Sequence, residues 1–286
     1  MRVRTLRVVH AGPLTTVQDR GRPGWAHLGV PRAGALDTGA AALANRLVGN
    51  DADAAVLETT LGGVTVRLSA AATLAVTGAD CSVTVGGRAV AFAEPVTVRA
   101  GAEVTLGPAR QGVRSYLAVA GGVAVEPVLG SRSTDTLARL GPPVLTDGME
   151  LPLGPASARP APVDGHAVRR AGRPVVLRFR QGPRRDWFVA DAVATLTSAP
   201  YTVTVDSNRV ALRLEGAPLE RSRHDELPSE GIVLGAVQVP SSGWPLVFLN
   251  DHPTTGGYPV LGVVDPGDLD ACAQLRPGDA VRFREV

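Results

Sequence analysis

Residues 225–261 read DELPSEGIVLGAVQVPSSGWPLVFLNDHPTTGGYPVL. Two apolar runs, Ile232 to Val239 and Leu246 to Leu249, alternate with polar clusters rich in Ser, Asp, Gly and Pro. This alternation predicts strands that present loops. The last cluster, residues 254–258, sets two hydroxyls before paired glycines and an aromatic ring. Such a turn either exposes backbone N–H groups to an oxyanion or is a plain β-turn.

Short runs of this kind recur in two blocks of the chain. Gly-Gly or Ala-Gly pairs separate those of the first block, and the pattern predicts a barrel or a sandwich. The predicted strands of the first block are Val64–Leu68, Thr73–Val76, Ser82–Val85, Ala89–Phe92, Val96–Val98, Glu103–Leu106 and Ser115–Val119. Those of the second are Val175–Arg180, Tyr201–Val205, Val210–Leu214, Ile232–Val239, Leu246–Leu249, Val260–Val264 and Ala280–Phe283.

The Pro-rich residues 154–174 form the best linker between these blocks. We therefore predict two domains, an N-terminal β-barrel subdomain with one helix in residues 1–160 and a C-terminal β-barrel subdomain in residues 161–286. Asp37 or Thr38 begins the clearest helix, which Gly49 ends. Two further short helices are predicted at residues 185–196 and 266–275.

Residues 3–37 are dense in Gly and Pro, which excludes a helix. Arg20, His27 and Arg32 lie there beside Trp25. Charged and aromatic side chains on a fixed loop suit a binding site. A surface loop that covers a barrel end, with the tryptophan as its hydrophobic plug, explains the same composition.

Composition excludes several functions. A formal charge of +2 with dispersed arginines gives no basic stripe, so we expect no nucleic-acid partner. Lysine is absent, which excludes a Schiff-base lysine and a phosphate-loop lysine. The longest apolar runs are too short for a membrane span or a signal peptide, and we predict a cytoplasmic location. The cysteines and histidines match no metal spacing, so no metal site is predicted.

Carboxylates, arginines and hydroxyls on loops remain as candidate chemistry. Asp206 and Arg209 flank a polar turn that brings a carboxylate, an amide and a guanidinium together. An Asx turn in a β-hairpin has the same sequence pattern. Glu230 and Asp251 are candidate general bases or solvated loop acids.

Ordered blocks from residue 9 to residue 284 resemble one known family. These blocks include GPLTTVQDRGRPGWAHLGVPRAGALD, LANRLVGN, LETTLGGVTVRL, DSNRVALRLEG, LPSEGIVLGAVQVPSSGWPLV, TTGGYPVLGVV and LRPGDAVRF. They are similar to the second subunit of allophanate-hydrolase-type, biotin-dependent carboxyltransferases, a family that also includes a 5-oxoprolinase subunit. The resemblance implies a mainly β fold of two cyclophilin-like β-barrel subdomains with a few short helices. His252-Pro253 before TTGG departs from the family pattern and leaves the substrate open.

The resemblance implies a subunit of an ATP-dependent 5-oxoprolinase, with Mg²⁺ accompanying ATP, that acts with a first-subunit homologue and a third protein. One alternative is half of a biotin-dependent carboxyltransferase acting on urea or another amide. Another is a non-catalytic regulator that binds an inhibitor of a histidine kinase. For the enzyme we predict catalytic roles for Glu230, Asp206 and Arg209. The predicted substrate-binding residues are Thr254, Thr255, Gly256, Gly257, Tyr258, Gln238, Arg20, His27 and Arg32.

Overall fold

A computed structural model describes residues 4–156 and 174–286. The described residues form two compact units. The first contains residues 4–22, 33–135 and 139–156, and the second contains residues 23–32, 136–138 and 174–286. The predicted boundary at residues 160 and 161 lies outside the described residues. Two short segments that the prediction assigned to the N-terminal subdomain, 23–32 and 136–138, belong to the second unit.

Eleven strands and one helix build the first unit within its described residues. The strands are β1 Arg4–His10, β2 Leu14–Gln18, β3 Val56–Thr60, β4 Thr65–Leu68, β5 Ala72–Asp80, β6 Val83–Val85, β7 Arg88–Val90, β8 Val96–Val98, β9 Glu103–Leu106, β10 Gln111–Val119 and β11 Glu150–Leu153. They form a six-stranded sheet in the order β11-β1-β4-β9-β6-β7 and a five-stranded sheet in the order β2-β3-β10-β5-β8.

Alternate residues of the two sheets form the core of this unit. Leu6, Val66 and Val104 of the six-stranded sheet lie in one apolar cluster with Leu57 and Leu117 of the five-stranded sheet. All five are buried. Burial of one face of each strand contributes about 25 cal/mol per Å² of apolar surface, which holds the two sheets together.

Helix α1, Thr38–Leu47, covers the opposite face of the five-stranded sheet, where Tyr116 meets the helix in a second apolar cluster. The Asp37 carboxylate accepts a hydrogen bond from the Ala40 backbone N–H at 2.9 Å and caps the helix. Gly49 follows the helix with a φ of 76°, a left-handed conformation that favours glycine. The predicted helix start and stop are both confirmed.

A closed barrel of seven strands forms the centre of the second unit. The strands and helices of this unit are β12 Val175–Gln181, α2 Ala192–Ser198, β13 Tyr201–Val203, β14 Ala211–Glu215, β15 Glu230–Gly231, β16 Ala236–Gln238, β17 Leu246–Phe248, β18 Thr255–Gly256, β19 Val260–Val264, α3 Leu269–Cys272 and β20 Ala280–Glu285. Their order around the barrel is β12-β19-β16-β17-β14-β13-β20, and parallel pairing of β20 with β12 closes it.

Aromatic rings fill the barrel interior. The Phe283 ring meets Phe179 and Tyr201 edge to face, with centroids 5.9 and 6.0 Å away. All three side chains are buried. The mainly β fold with a few short helices is confirmed.

The two later helices are shorter than predicted. Within residues 185–196, residues 188–191 separate a 3₁₀ turn at Arg185–Trp187 from α2, and the backbone of Phe188 is extended. Residues 266–275 hold a 3₁₀ turn at Pro266–Asp268 followed by the single turn of α3. Turns this short give no helical period, so composition alone overestimates their length.

Candidate functional site

Two polar clusters of the sequence meet at a short strand pair in the second unit. Glu230 pairs with Gly256 and Gly231 with Thr255, in antiparallel register. The Thr254 carbonyl accepts a hydrogen bond from the Ile232 N–H at 2.9 Å. The motifs Ser229-Glu230-Gly231 and Thr254-Thr255-Gly256-Gly257, which are well separated in the chain, therefore form one structural element.

The paired glycines allow close packing at this element. Neither Gly256 nor Gly257 has a positive φ, so they do not form the left-handed N–H nest considered from sequence. A Cβ on Gly256 would lie 2.9 Å from Gln238 Nε2 and 3.2 Å from Ile232 Cγ1. A larger residue at position 256 would have to displace the buried amide of Gln238, which lies directly against Gly256.

Gln238 joins this element to the barrel. The residue is 4% exposed, and its Nε2 donates to the Tyr258 carbonyl at 3.1 Å. Tyr258 itself is 45% exposed. The structure thus brings seven predicted residues together at one end of the barrel: Glu230, Gln238, Thr254, Thr255, Gly256, Gly257 and Tyr258.

Glu230 is ion-paired with an arginine that neither interpretation from the sequence named. Arg184 Nε donates to Glu230 Oε2 at 2.9 Å, and Arg184 Nη2 donates to Oε1. The pair is partly exposed, with 37% of the Arg184 side chain and 29% of the Glu230 side chain accessible. A bidentate arginine fixes the carboxylate plane, so Glu230 can present a lone pair in a set direction. No local motif indicates this partner, because it lies 46 positions away in the chain.

Arg221 is the second arginine of this barrel end, and no sequence pattern singled it out. Its guanidinium carbon lies 5.5 Å from the centroid of the Tyr258 ring. Its Nη2 donates to the Val239 carbonyl at 2.9 Å. Burial lowers the pKa of Arg221 below its ordinary value, yet a guanidinium stays protonated at neutral pH.

Arg223 is the third arginine at this end. It lies 4.9 Å from the centroid of the Trp187 ring, and its Nη1 contacts the Asp186 carboxylate at 3.2 Å. Its charge is therefore balanced by a neighbouring acid, as that of Arg184 is.

Arg209 does not join this cluster. It forms a bidentate ion pair with Asp251, and the Thr136 hydroxyl also donates to Asp251, at 2.6 Å. Gln238 pairs with Leu246 at the start of β17, whereas Ala211 pairs with Phe248 at the end of β17. Arg209 precedes Ala211 and so lies beyond the opposite end of these strands.

Asp206 is likewise separated from Glu230. It lies in the exposed turn before β14. The Asn208 side chain of this turn accepts hydrogen bonds from the Val210 and Ala211 N–H groups, which is an Asx turn. Glu230, Asp206 and Arg209 therefore do not form one catalytic group within this chain, because barrel topology places the last two at the other end.

The remaining predicted binding residues lie in the turn-rich segment near the N-terminus. Arg20, in the first unit, is exposed and pairs with Asp53 at 2.6 Å. Its pKa is raised by the hydrogen bond to Asp53. His27 and Arg32 belong to the second unit. The His27 ring stacks on Trp25 with centroids 6.2 Å apart, and the Arg32 Nε is buried without a hydrogen-bond partner among the described residues.

Two absences hold for the described residues. No group of three or more His, Cys, Asp or Glu side chains there could bind a metal ion. No helix in residues 4–156 and 174–286 is long and apolar enough to cross a membrane.

Known proteins are similar to this chain in both sequence and fold. The model of the carboxyltransferase domain, subdomain A and B, matches residues 28–285. The chain is 39% identical to a 5-oxoprolinase subunit of Escherichia coli K12 over 281 residues, which cover 97% of this chain and 90% of the relative.

Two solved structures share the fold. TTHA0988 superposes with a TM-score of 0.88 at 37% identity, and Kluyveromyces lactis urea carboxylase with a TM-score of 0.89 at 28% identity. The alignments cover 99% and 100% of this chain, but only 56% and 28% of those two chains. With its family model spanning nearly the whole sequence, this protein belongs to the carboxyltransferase-domain family that includes the E. coli 5-oxoprolinase subunit.

Proposed function

We propose that the chain is a subunit of an ATP-dependent 5-oxoprolinase that opens 5-oxoproline to glutamate. The observation that carries this proposal is the 39% identity to the E. coli 5-oxoprolinase subunit over 97% of the chain. That match includes the barrel end where Glu230, Gln238 and Tyr258 meet.

The substrate is a lactam, whose amide resonance makes hydrolysis slow. Transfer of the γ-phosphoryl group of ATP to the lactam oxygen releases ADP and makes the ring carbon electrophilic. Addition of water to this carbon, with cleavage of the ring C–N bond, gives a free amine and an acyl phosphate. A second water hydrolyses the acyl phosphate to glutamate and inorganic phosphate, which balances the reaction.

This chemistry needs an oriented water and fixed hydrogen-bond donors more than a nucleophilic side chain. Glu230, oriented by Arg184, accepts a proton from the attacking water in our proposal. The exposed Thr255 hydroxyl lies on the strand that pairs with Glu230 and donates to the lactam. Gln238, buried beneath Gly256, holds the Tyr258 backbone in place.

ATP with Mg²⁺ is a co-substrate of the assembled enzyme in this proposal. The assembly contains a first-subunit homologue of the same family and a third protein, in the cytoplasm. The E. coli relative is named as one subunit of its enzyme, which supports a multi-subunit assembly.

The test is reconstitution of the three proteins with ATP, Mg²⁺ and 5-oxoproline. We expect ADP and glutamate in equal amounts, and loss of both when this chain is omitted. A Glu230→Gln chain supports the same assembly with little turnover, and Glu285→Gln, an exposed acid on β20, keeps full turnover. Assembly without substrate-dependent ADP release rejects the proposal.

The similarity to K. lactis urea carboxylase supports a second candidate. In it the chain is one half of a carboxyltransferase that moves a carboxyl group from carboxybiotin to urea or another amide. The chain with its first-subunit homologue, given carboxybiotin and urea, would then release free biotin at a urea-dependent rate. If a preparation that is active on 5-oxoproline releases biotin at a rate that does not depend on urea, this candidate is excluded.

A further inference from the structure

Among the arginines at the end of the barrel that carries Glu230, Arg221 differs in its partners. Arg184 is paired with Glu230 and Arg223 with Asp186. Within the described residues Arg221 contacts no carboxylate, and its single hydrogen bond goes to the Val239 carbonyl. A guanidinium carries five N–H donors, so four of those of Arg221 have no partner within the described part of the chain.

Burial makes this unused capacity costly. The Arg221 Nε is closed to solvent and has no hydrogen-bond partner in the described part of the chain. An unpaired polar atom in such a position lowers the stability of the folded chain. Such an atom calls for an explanation, and a functional role of the side chain that carries it is one of them.

The surroundings of Arg221 hold its guanidinium in one orientation. The Tyr258 ring lies 5.5 Å from the guanidinium carbon, and the Val239 carbonyl fixes Nη2. Phe188 forms a β-bridge with Arg221 and anchors its backbone. The side chain is thus oriented in advance, which lowers the entropy lost when a ligand binds.

Tyr258 connects this cation to the candidate catalytic element. The Tyr258 carbonyl accepts from Gln238, whose amide packs against Gly256, and Gly256 pairs with Glu230. Arg221 and Glu230 are therefore linked through Tyr258, Gln238 and Gly256.

We infer that Arg221 binds the carboxylate of a small cyclic-amide substrate, with the Tyr258 ring beside the substrate ring. This inference rests on the proposed function and names the group that recognises its substrate. One guanidinium without a counter-ion matches a monovalent carboxylate. Because Nε is closed to solvent and one Nη2 N–H is bonded to Val239, the two carboxylate oxygens accept from Nη1 and from the other N–H of Nη2. A polyphosphate carries more charge than this one cation balances.

The experiment compares two ligands that differ at one group. L-5-Oxoproline and its neutral amide, 5-oxoprolinamide, are titrated calorimetrically into the assembled complex without ATP. The protein carries wild-type, Arg221→Gln, Arg221→Lys or Arg223→Gln sequence. Arg223 is the matched control, since it lies two positions away, also contacts an aromatic ring and is already paired.

We expect the wild type and Arg223→Gln to bind the acid about 10- to 100-fold more tightly than the amide, as a charge-assisted hydrogen bond predicts. Arg221→Gln binds both ligands alike, and Arg221→Lys is intermediate because it keeps the charge and loses the fork. Urea denaturation of each variant shows whether loss of the Val239 contact has unfolded it.

Three results overturn the inference. The first is that the wild type binds the acid and the amide with equal affinity. The second is that a folded Arg221→Gln variant binds the acid as tightly as wild type does. The third is that Arg221→Gln loses affinity for ATP and keeps its affinity for 5-oxoproline. The outcome is separable from that of the proposed function. If the Arg221→Gln enzyme turns over 5-oxoproline with the same KM as wild type, only the inference is rejected. If binding of 5-oxoproline depends on Arg221 but no ATP-dependent turnover occurs, only the proposed function is rejected.

Discussion

Asp251 accepts hydrogen bonds from Arg209 Nε at 3.0 Å and Nη2 at 2.9 Å, and at most 2% of either side chain is exposed. Thr136 donates hydrogen bonds from its backbone N–H and its hydroxyl to Asp251 Oδ2, the oxygen that also accepts from Arg209 Nε. Two charges so far from water are tolerated because each satisfies the other. Loss of either partner would leave the other charge buried and unpaired, so the role of this pair is structural and Asp251 is a poor general base.

Arg209→Met tests this role. The substitution keeps much of the side-chain volume and leaves the Asp251 charge buried without its partner. We expect the free energy of unfolding to fall by about 3–5 kcal/mol, measured by urea denaturation. Arg213→Met, at an exposed position on β14, is the control and should change it by about 0.5 kcal/mol or less. A loss below about 1 kcal/mol for Arg209→Met contradicts the structural role.

Gly256→Ala tests close packing under the paired strands. The new Cβ would lie 2.9 Å from Gln238 Nε2 and must displace that buried amide. We expect a loss of about 1–3 kcal/mol in the free energy of unfolding and weaker substrate binding. Gly231 lies on the partner strand with nothing within 4 Å of an added Cβ, so Gly231→Ala should leave stability nearly unchanged. Equal thermal midpoints for the two variants would show that Gly256 is not packed as described.

The pair of Arg184 and Glu230 should act as a unit in turnover. In the assembled enzyme we expect Glu230→Gln to lower kcat by about 100-fold or more, with little change in KM. Arg184→Gln lowers kcat less, by about tenfold, because the carboxylate remains but loses its orientation. The double variant should resemble Glu230→Gln, as coupled residues do. If the fold-losses in kcat of the two single variants multiply in the double variant, the steady-state rates contradict this coupling.

Burial raises the pKa of the Cys272 thiol to about 12, from 9.0 for an exposed thiol. As pH rises, the thiol of the unfolded chain ionises first, so the unfolded state holds fewer protons and is favoured. The contribution of Cys272 to stability is therefore full below about pH 9 and is lost as pH rises towards 12. The slope for one such group is at most about 1.4 kcal/mol per pH unit.

Cys272→Ala should remove that part of the slope while lowering stability at neutral pH through lost packing. Urea denaturation at a series of pH values from about 7 to about 10.5 measures both effects. Parallel stability curves for wild type and variant would show that the thiol does not titrate differently in the folded state.

Strands with clear alternation are predictable from the sequence. Val96–Val98, Glu103–Leu106 and Val260–Val264 have the bounds that their patterns indicate. The first two strands, Arg4–His10 and Leu14–Gln18, lie outside the predicted set, because the Gly- and Pro-rich residues around them favour loop for the whole segment. Each is nevertheless paired, β1 with β4 and β11, and β2 with β3.

One predicted strand is divided in the structure. The apolar run Ile232 to Val239 is interrupted at Gly235, whose φ is 82°, so only Ala236–Gln238 enters the barrel. Glu230–Gly231 pairs separately with Thr255–Gly256. An uninterrupted apolar run does not reveal such a break, because glycine is compatible with both extended and left-handed backbone.

The sequence by itself determined the mainly β class, the capped helix at residues 38–47 and the polar clusters at Glu230 and Thr254–Tyr258, because these depend on local periodicity, capping and turn chemistry. Only the tertiary structure decided which charges are neutralised. Arg184 meets Glu230 and Arg209 meets Asp251, whereas Arg221 meets the Tyr258 ring and no carboxylate among the described residues. Such pairing depends on strand order around a closed barrel, which joins residues dozens of positions apart and leaves no trace in local spacing.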